Sequence, residues 1–429
     1  MIPEIKNLVE LMDQSQWFTL EQLEQIQERD LVKLVRHHAA NTPWFLDRLK
    51  SQDLAPSDLW TLRGLKQYKP FKKRDIQSAG DSFKSDNIPR EHLPLGKASS
   101  SGSTGQPVTV SATRINSLFW AAHAFRDHQW AGRDYTLKLA AIRANFQDTE
   151  LRPNWGPPVA MLYKTGEALG LPVNWGTTAQ LEALEMFQPN ILIVHGGVLQ
   201  ALVTIWERDG CKLTDLRHIK QIGDTVHDSL RERVKNLLGL DIEDNYSSSE
   251  VGCIAIQCPD TGLYHIMAEN LIVEILDDDD NDCQPGEVGR VVVTDLHNYA
   301  SPLIRYELGD YAEVGETCTC GRHLPTLKRI LGRERGMFKK PDGSQFWPRG
   351  GGRGIKSFKI RQFQMIQHDY NDIEYRMVTD QPLTPEQEQE AKESIESVFE
   401  MPGSIRIVRY ADEIPTTNGK YEESICLIK

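Results

Sequence analysis

At 429 residues the chain exceeds what one hydrophobic core usually sustains, so a large domain plus a smaller one is expected. Apolar residues at 39% and charged residues at 26% are ordinary globular usage and exclude a disordered chain. A formal net charge of −12 argues against nucleic acid as partner, and with neither a basic leader nor a bilayer-length apolar run the expectation is a cytoplasmic protein with no membrane partner.

Taken in chain order, Thr19 followed by Gln22 is a capping-box pattern, and apolar residues recur at helical spacing from Leu20 to Ala40 until Asn41, Thr42 and Pro43 stop them. A second helix is expected over Asn116 to Trp130, with Gly132 beyond its end. From Pro189 short apolar runs, Ile191 to Val194 and Ile219 to Ile222, alternate with helical stretches, the pattern of α/β layering. Residues 271–276 and 290–294 read as a strand pair, and Asp277 to Asp282 between them as a solvated acidic turn, since the mid-loop glycine of a calcium-binding hand is absent. Near Gly332 the composition shifts through KKPDGSQFWPRGGGRG, which places a domain boundary there. In the tail, Thr384 and Pro385 start a helix running to about Phe399, Pro402-Gly403 ends it, and Ser404 to Val408 reads as a strand.

Five short segments carry chemistry. SSSGSTGQP, from Ser99 to Pro107, combines glycines with hydroxyls as an anion-cradling turn does, although it lacks the Gly-Lys-Ser/Thr ending of a Walker loop and a plain flexible loop has the same composition. YSSSEVG, from Tyr246 to Gly252, sets an aromatic face, hydroxyls and one carboxylate before a glycine. RYELGD (Arg305 to Asp310), Gly332-Arg333 and PTTNGK (Pro415 to Lys420) follow in that order. The seven cysteines, at 211, 253, 258, 283, 318, 320 and 426, are an odd and uneven set, unlike a secreted disulfide framework.

With these motifs, and with LVRHHAANTPWFLDRL, YKPFKKRDI, PLIRYELGD, CTCGRHLPTLKRILGR and IPTTNGK, the chain resembles the phenylacetate-CoA ligase-like branch of the adenylate-forming (acyl-CoA synthetase, adenylation domain and luciferase) superfamily over nearly its whole length. The resemblance implies an α/β large N-terminal domain of layered sheets and helices over residues 1–333 and a small mobile α+β C-terminal lid over 334–429. It implies ATP-dependent activation of a carboxylic acid, aryl or medium-sized, to acyl-AMP with pyrophosphate release, followed by transfer to coenzyme A; an amine or hydroxyl acceptor and a non-catalytic nucleotide-binding homologue stay open. In ATP binding, Ser101, Gly102, Ser103, Thr104 and Gly105 would hold phosphates, Gly223 and Asp224 would lie beside the adenine with Tyr246 packed on it, and Ser249, Asp310 and Arg333 would complete the nucleotide set. Glu250 would bind magnesium and Lys420 would be the mobile catalytic lysine, supplying the positive charge that lets a carboxylate approach a polyanionic nucleotide. Trp120, His123, Phe125, His195, Gly196 and Ser247 are candidates for the acid pocket. Cys258, His265, Cys318 and Cys320 form a set suited to a structural, closed tetrahedral zinc, the alternative being reduced buried cysteines. A homodimer is left open as the assembly.

The chain departs from the branch at four places. Gln106 stands where lysine is common, Ser247 where glycine is usual, Arg335-Gly336 after Glu334 where an acidic hinge pair is common, and PRGGGRG where FPxxIE is common.

Overall fold

The computed structural model describes residues 2–99, 108–223, 225–348, 355, 357–399, 404–411, 414–415 and 422–428. Its contacts divide the chain into two compact units, one drawn from 1–138, 152–168 and 243–330, the other from 139–151, 169–242 and 331–429. Among the described residues no helix is long and apolar enough to cross a membrane.

The first unit opens with the helices Ile2–Ser15 and Leu20–Asn41. The second starts where its local sequence dictates: the Gln22 amide donates to Thr19 Oγ1 at 3.3 Å and the Thr19 amide to Gln22 Oε1 at 2.9 Å, closing a reciprocal cap. The helix expected from Asn116 is Arg114–Trp130, two residues longer, because Thr113 caps it and Asn116 is the third-position partner of that cap. A seven-stranded sheet runs Leu271–Leu276, Val288–Asp295, Tyr306–Val314, Thr326–Arg333, Tyr264–Ile266, Gly252–Gln257, Asn245–Ser248. The first two strands are antiparallel with Leu276 opposite Arg290, so the acidic segment between them is the expected turn. Val291, Val292 and Val293 are wholly buried, Val291 and Val293 in the unit's main core, where β-branched side chains pack well on a pleated surface.

Two motif segments far apart in sequence are joined here. Phe71 of YKPFKKRDI donates its amide to Arg305 O, Glu307 returns a bond to Phe71 O at 2.8 Å, and Lys72 pairs with the Glu307 carboxylate at 3.0 Å. Arg305 takes a left-handed φ of 55° although it carries a side chain, a conformation sustained only where surroundings over-determine it. They do: its guanidinium forks onto Glu274 at 3.0 Å and donates to the Lys66 and Tyr68 carbonyls at 2.9 and 2.8 Å.

The second unit holds a six-stranded sheet in the order Glu150–Arg152, Ala168–Pro172, Leu139–Arg143, Ile191–His195, His218–Ile222, Ile242–Glu243. Leu139–Arg143, Ile191–His195 and His218–Ile222 are mutually parallel, as the alternation of apolar runs and helices predicts. The helices Thr177–Phe187, Gly196–Asp209 and Asp228–Leu238 supply Leu184, Leu199, Leu202, Val203, Trp206 and Val234 to its core. Beyond Arg333 a four-stranded sheet, Ser404–Tyr410, Asp372–Thr379, Ile360–Asp369, Ser424–Cys426, packs with the helix Pro385–Phe399 around Phe338, Met365, Tyr375, Met377 and Ile395. That helix begins at the predicted cap, the Gln387 amide donating to Thr384 Oγ1 and the Thr384 amide to Gln387 Oε1. This small α+β domain with its own core is what the fold class requires of the C-terminal region. Arg233 ties it to the parallel sheet's helices, bonding Glu207, Thr204 Oγ1 and Arg361 O.

Candidate functional site

Seven of the expected site residues, Ser101, Gly102, Ser103, Thr104, Gly105, Asp224 and Lys420, lie outside the described residues. The others fall into clusters, taken unit by unit.

In the first unit, Asn245–Ser248 and Gly252–Gln257 form a hairpin with Ser248 opposite Gly252, closed through Ser249, Glu250 and Val251. Gly252 has φ of +77° in this tight return, and the Val251 amide donates to Ser248 Oγ at 3.2 Å. Strand alternation then buries Tyr246 and leaves Ser247 exposed. Ser249 is exposed, while Glu250 is buried to 8% exposure and makes no hydrogen bond or ion pair among the described residues, so its oxygens remain available to a cation.

Asp310 reaches this hairpin through an irregular strand. Leu308, Gly309 and Asp310 together stand opposite the single residue Val291, and Gly309 takes φ of +77° inside that bulge. Tyr246 Oη donates to Asp310 Oδ2 at 2.8 Å, a bond between two side chains 7% and 8% exposed. The structure therefore brings together the aromatic and the carboxylate that sequence reading assigned to one nucleotide, across 64 residues of chain.

A second cluster in the same unit joins Cys258, His265, Cys318 and Cys320, whose ligand atoms all lie within 4.8 Å of one another. Cys258 Sγ and Cys318 Sγ are 3.7 Å apart and Cys320 Sγ is 3.3 Å from His265 Nε2. Sulfurs on a tetrahedral ion with bonds of about 2.3 Å stand about 3.8 Å apart, close to the spacing of Cys258 and Cys318, so the donor set suits zinc. His265 Nδ1 faces Leu324 O at 3.2 Å, which fixes the proton on that nitrogen and turns the Nε2 lone pair toward the thiols. Burial holds the imidazole pKa down to about 4, so it is neutral, as a ligand must be. Thr261 Oγ1 lies 3.1 Å from Cys318 Sγ. Neither this hydroxyl nor the Leu324 carbonyl was found from sequence: one is a turn threonine without a spacing signal, the other a backbone group.

The acid-pocket candidates on Arg114–Trp130 differ in placement. Trp120 is 53% exposed. Phe125 is wholly buried, in a core with Ile5, Leu118, Ala121 and Val159. His123 is buried, its Nε2 has no hydrogen-bond partner among the described residues, and desolvation holds its pKa down to about 3.

In the second unit, His195 ends a parallel strand opposite Ile222 and is the N-cap of the helix starting at Gly196. Gly223 follows Ile222 with φ of +80°, and a Cβ there would come within 2.9 Å of the His195 ring. The two candidates are thus packed together at the carboxyl ends of adjacent parallel strands, where open α/β sheets place their ligands. Arg333 ends the strand Thr326–Arg333, and the preceding Gly332, φ +110°, lies beside Trp347 and Thr225.

The fold is similar to that of solved adenylate-forming ligases. A 2-hydroxyisobutyryl-CoA ligase in its postadenylation state with 2-HIB-AMP superposes with a TM-score of 0.76 at 16% identity, covering 95% of this chain and 90% of that one. An anthranilate CoA ligase in complex with anthranoyl-AMP superposes at 0.55, with 15% identity and coverage of 78% and 66%. In sequence the chain resembles phenylacetate-coenzyme A ligases: it is 27% identical over 332 residues to one from Thermus thermophilus, spanning 74% of this chain and 72% of the relative. A second, from Pseudomonas putida, is 26% identical over 338 residues, spanning 76% and 74%. No family model matches the chain.

Proposed function

We propose that the chain is an AMP-forming acid–thiol ligase: it activates a carboxylic acid with ATP and passes the acyl group to coenzyme A. The observation that carries this reading is the buried Tyr246–Asp310 pair, its tyrosine on the hairpin whose turn holds Glu250, in a chain similar along three quarters of its length to phenylacetate-coenzyme A ligases. In the first step a carboxylate oxygen attacks the α-phosphorus, the bond to the β-phosphate oxygen breaks, and pyrophosphate leaves. In the second the thiolate sulfur attacks the acyl carbon, and AMP leaves.

Tyr246 offers its ring face to the adenine, and Asp310, its orientation fixed by the Tyr246 hydroxyl, accepts from the ribose hydroxyls. Glu250 would hold magnesium, which when bound offsets the negative charge of the triphosphate. In this reading residues 334–429 are the lid, Lys420 places its ammonium at the α-phosphate, and Ser101 to Gly105 carry the phosphates. Cys258, His265, Cys318 and Cys320 would hold a structural zinc; with four protein ligands it keeps no open position and is assigned no catalytic part. A cytoplasmic location belongs to this reading.

The test is AMP release and thioester formation, followed by mass spectrometry with aryl and medium-chain acids, ATP, magnesium and coenzyme A. An acyl-CoA product is expected. Acid-dependent AMP release with an amine acceptor, and none with coenzyme A, would refute the thiol as acceptor.

A further inference from the structure

Arg143 is the last residue of Leu139–Arg143, a strand in the middle of the parallel sheet, and no motif drew attention to it. The parallel register Ala141 to Ile193, continued two residues, sets Arg143 level with His195, whose ring lies on Gly223 one strand further. Its carbonyl accepts from the Val173 amide at 3.2 Å, which fixes the backbone there against the end of the neighbouring strand. Arg143 thus stands at the carboxyl edge of three adjacent parallel strands.

Among the described residues the Arg143 side chain has no partner. Its Nε is buried without a hydrogen-bond partner, and among the described residues no carboxylate, carbonyl or ring pairs with the side chain. Other arginines whose Nε makes no hydrogen bond are anchored by charge or by their terminal nitrogens: Arg48 to the Lys69 and Pro70 carbonyls, Arg290 to Glu307 and Asp280, and Arg361 to Ala411 O and, with its Nε 2.9 Å from a carboxylate oxygen, to Asp380. Burial lowers the pKa of Arg143 with no neighbouring anion acting against it. The residue is half-buried, so water reaches only part of the guanidinium, and a charge desolvated in this way without a protein anion beside it is one that a bound anion would stabilise. The planar fork matches a carboxylate through two parallel N–H bonds.

We propose that Arg143 binds a second carboxylate on the acid substrate, so that the acid this chain activates is a dicarboxylate. The inference rests on the acid-activation reading above. The carboxylate that reacts is not the one held here, because a bidentate clamp would occupy the oxygen lone pairs that must attack phosphorus. One carboxylate is the nucleophile and is converted to the mixed anhydride; the other keeps its charge and stays on Arg143.

The experiment is ATP–pyrophosphate exchange with matched acids, benzoate against the three phthalate isomers and aliphatic monoacids against diacids of equal length, for the wild type, Arg143→Lys and Arg143→Met. Thermal shift by each acid in the presence of ATP gives a second readout, and thermal unfolding without ligand checks folding. A charge-assisted fork predicts that the wild type prefers a diacid over its monoacid partner by about 10- to 100-fold in kcat/KM. Arg143→Met brings that ratio to about one and abolishes the diacid's thermal shift, and Arg143→Lys retains part of both. Wild-type exchange with monoacids alone overturns the inference and leaves acid activation standing. A rise in KM for ATP in Arg143→Met that is equal for every acid also overturns it, since the arginine would then serve a phosphate. Silence of the wild type with every acid overturns acid activation itself, and this inference with it.

Discussion

Tyr246→Phe removes one oxygen and keeps the ring, so it isolates the hydroxyl's hold on Asp310. The bond is 2.8 Å long, its acceptor is a carboxylate, and neither side chain is more than 8% exposed. A hydrogen bond to a charged group is worth about 1.5–3 kcal/mol, or about 10- to 150-fold in a binding constant. If Asp310 takes the ribose hydroxyls, freeing it weakens AMP binding toward that range while adenine stacking on the ring persists. Isothermal titration with AMP measures this, and thermal unfolding measures the accompanying loss of stability. A cycle with Asp310→Ala separates the two roles, because in that background Tyr246→Phe has no carboxylate to release and costs almost nothing further in AMP affinity. Wild-type AMP affinity in Tyr246→Phe, with stability alone reduced, would refute the assignment of the pair to nucleotide binding and leave it a structural contact.

Other consequences follow from named contacts. Cys318→Ser with Cys320→Ser breaks the four-ligand set, and elemental analysis should show zinc lost together with a lowered Tm; unchanged zinc content would rule the set out. Glu269→Ala strands the buried Arg126 guanidinium, which bonds both Glu269 oxygens at 2.7 and 3.1 Å, and should cost about 3–5 kcal/mol in denaturant unfolding, part of it regained in Arg126→Met with Glu269→Leu. Asp295 is enclosed, and desolvation raises its pKa from 3.8 to about 7 against bonds from Asn116 and the His297 amide. The folded chain therefore keeps this proton to higher pH than the unfolded chain does. Its contribution to stability is complete below about pH 4, falls as pH rises through 7 and is constant above. Asp295→Asn should flatten that part of the stability profile; an unchanged slope between pH 4 and 7 would show that another group carries it.

Local physics made the element starts legible. The caps at Thr19 and Thr384 are contained within four residues, so their patterns could be read directly, whereas Asn116 was taken for a helix start because asparagine serves equally as a cap and as a cap's partner. The cysteine cluster was legible because Cys-x-Cys and Cys…His mark two short segments. Its geometry was not, since the Leu324 carbonyl that orients His265 has no residue type. Tyr246 and Asp310 were each singled out, but the bond between them depends on a bulge at Gly309 that only the pairing with Val291 creates. Phe125 and Trp120 show the limit of spacing arguments: five residues apart on one helix, one is sealed in the core and the other is half exposed. Arg143 was passed over because an arginine after an apolar strand is ordinarily solvated, and only the absence of partners around its buried Nε sets it apart.

The central claim, that this chain joins a carboxylate to AMP, is tested most directly by ATP–pyrophosphate exchange with magnesium, a panel of mono- and dicarboxylic acids and no acceptor. The account predicts exchange that depends on an acid and falls by orders of magnitude in Lys420→Ala with folding intact. ATP binding without acid-dependent exchange across the panel would contradict it.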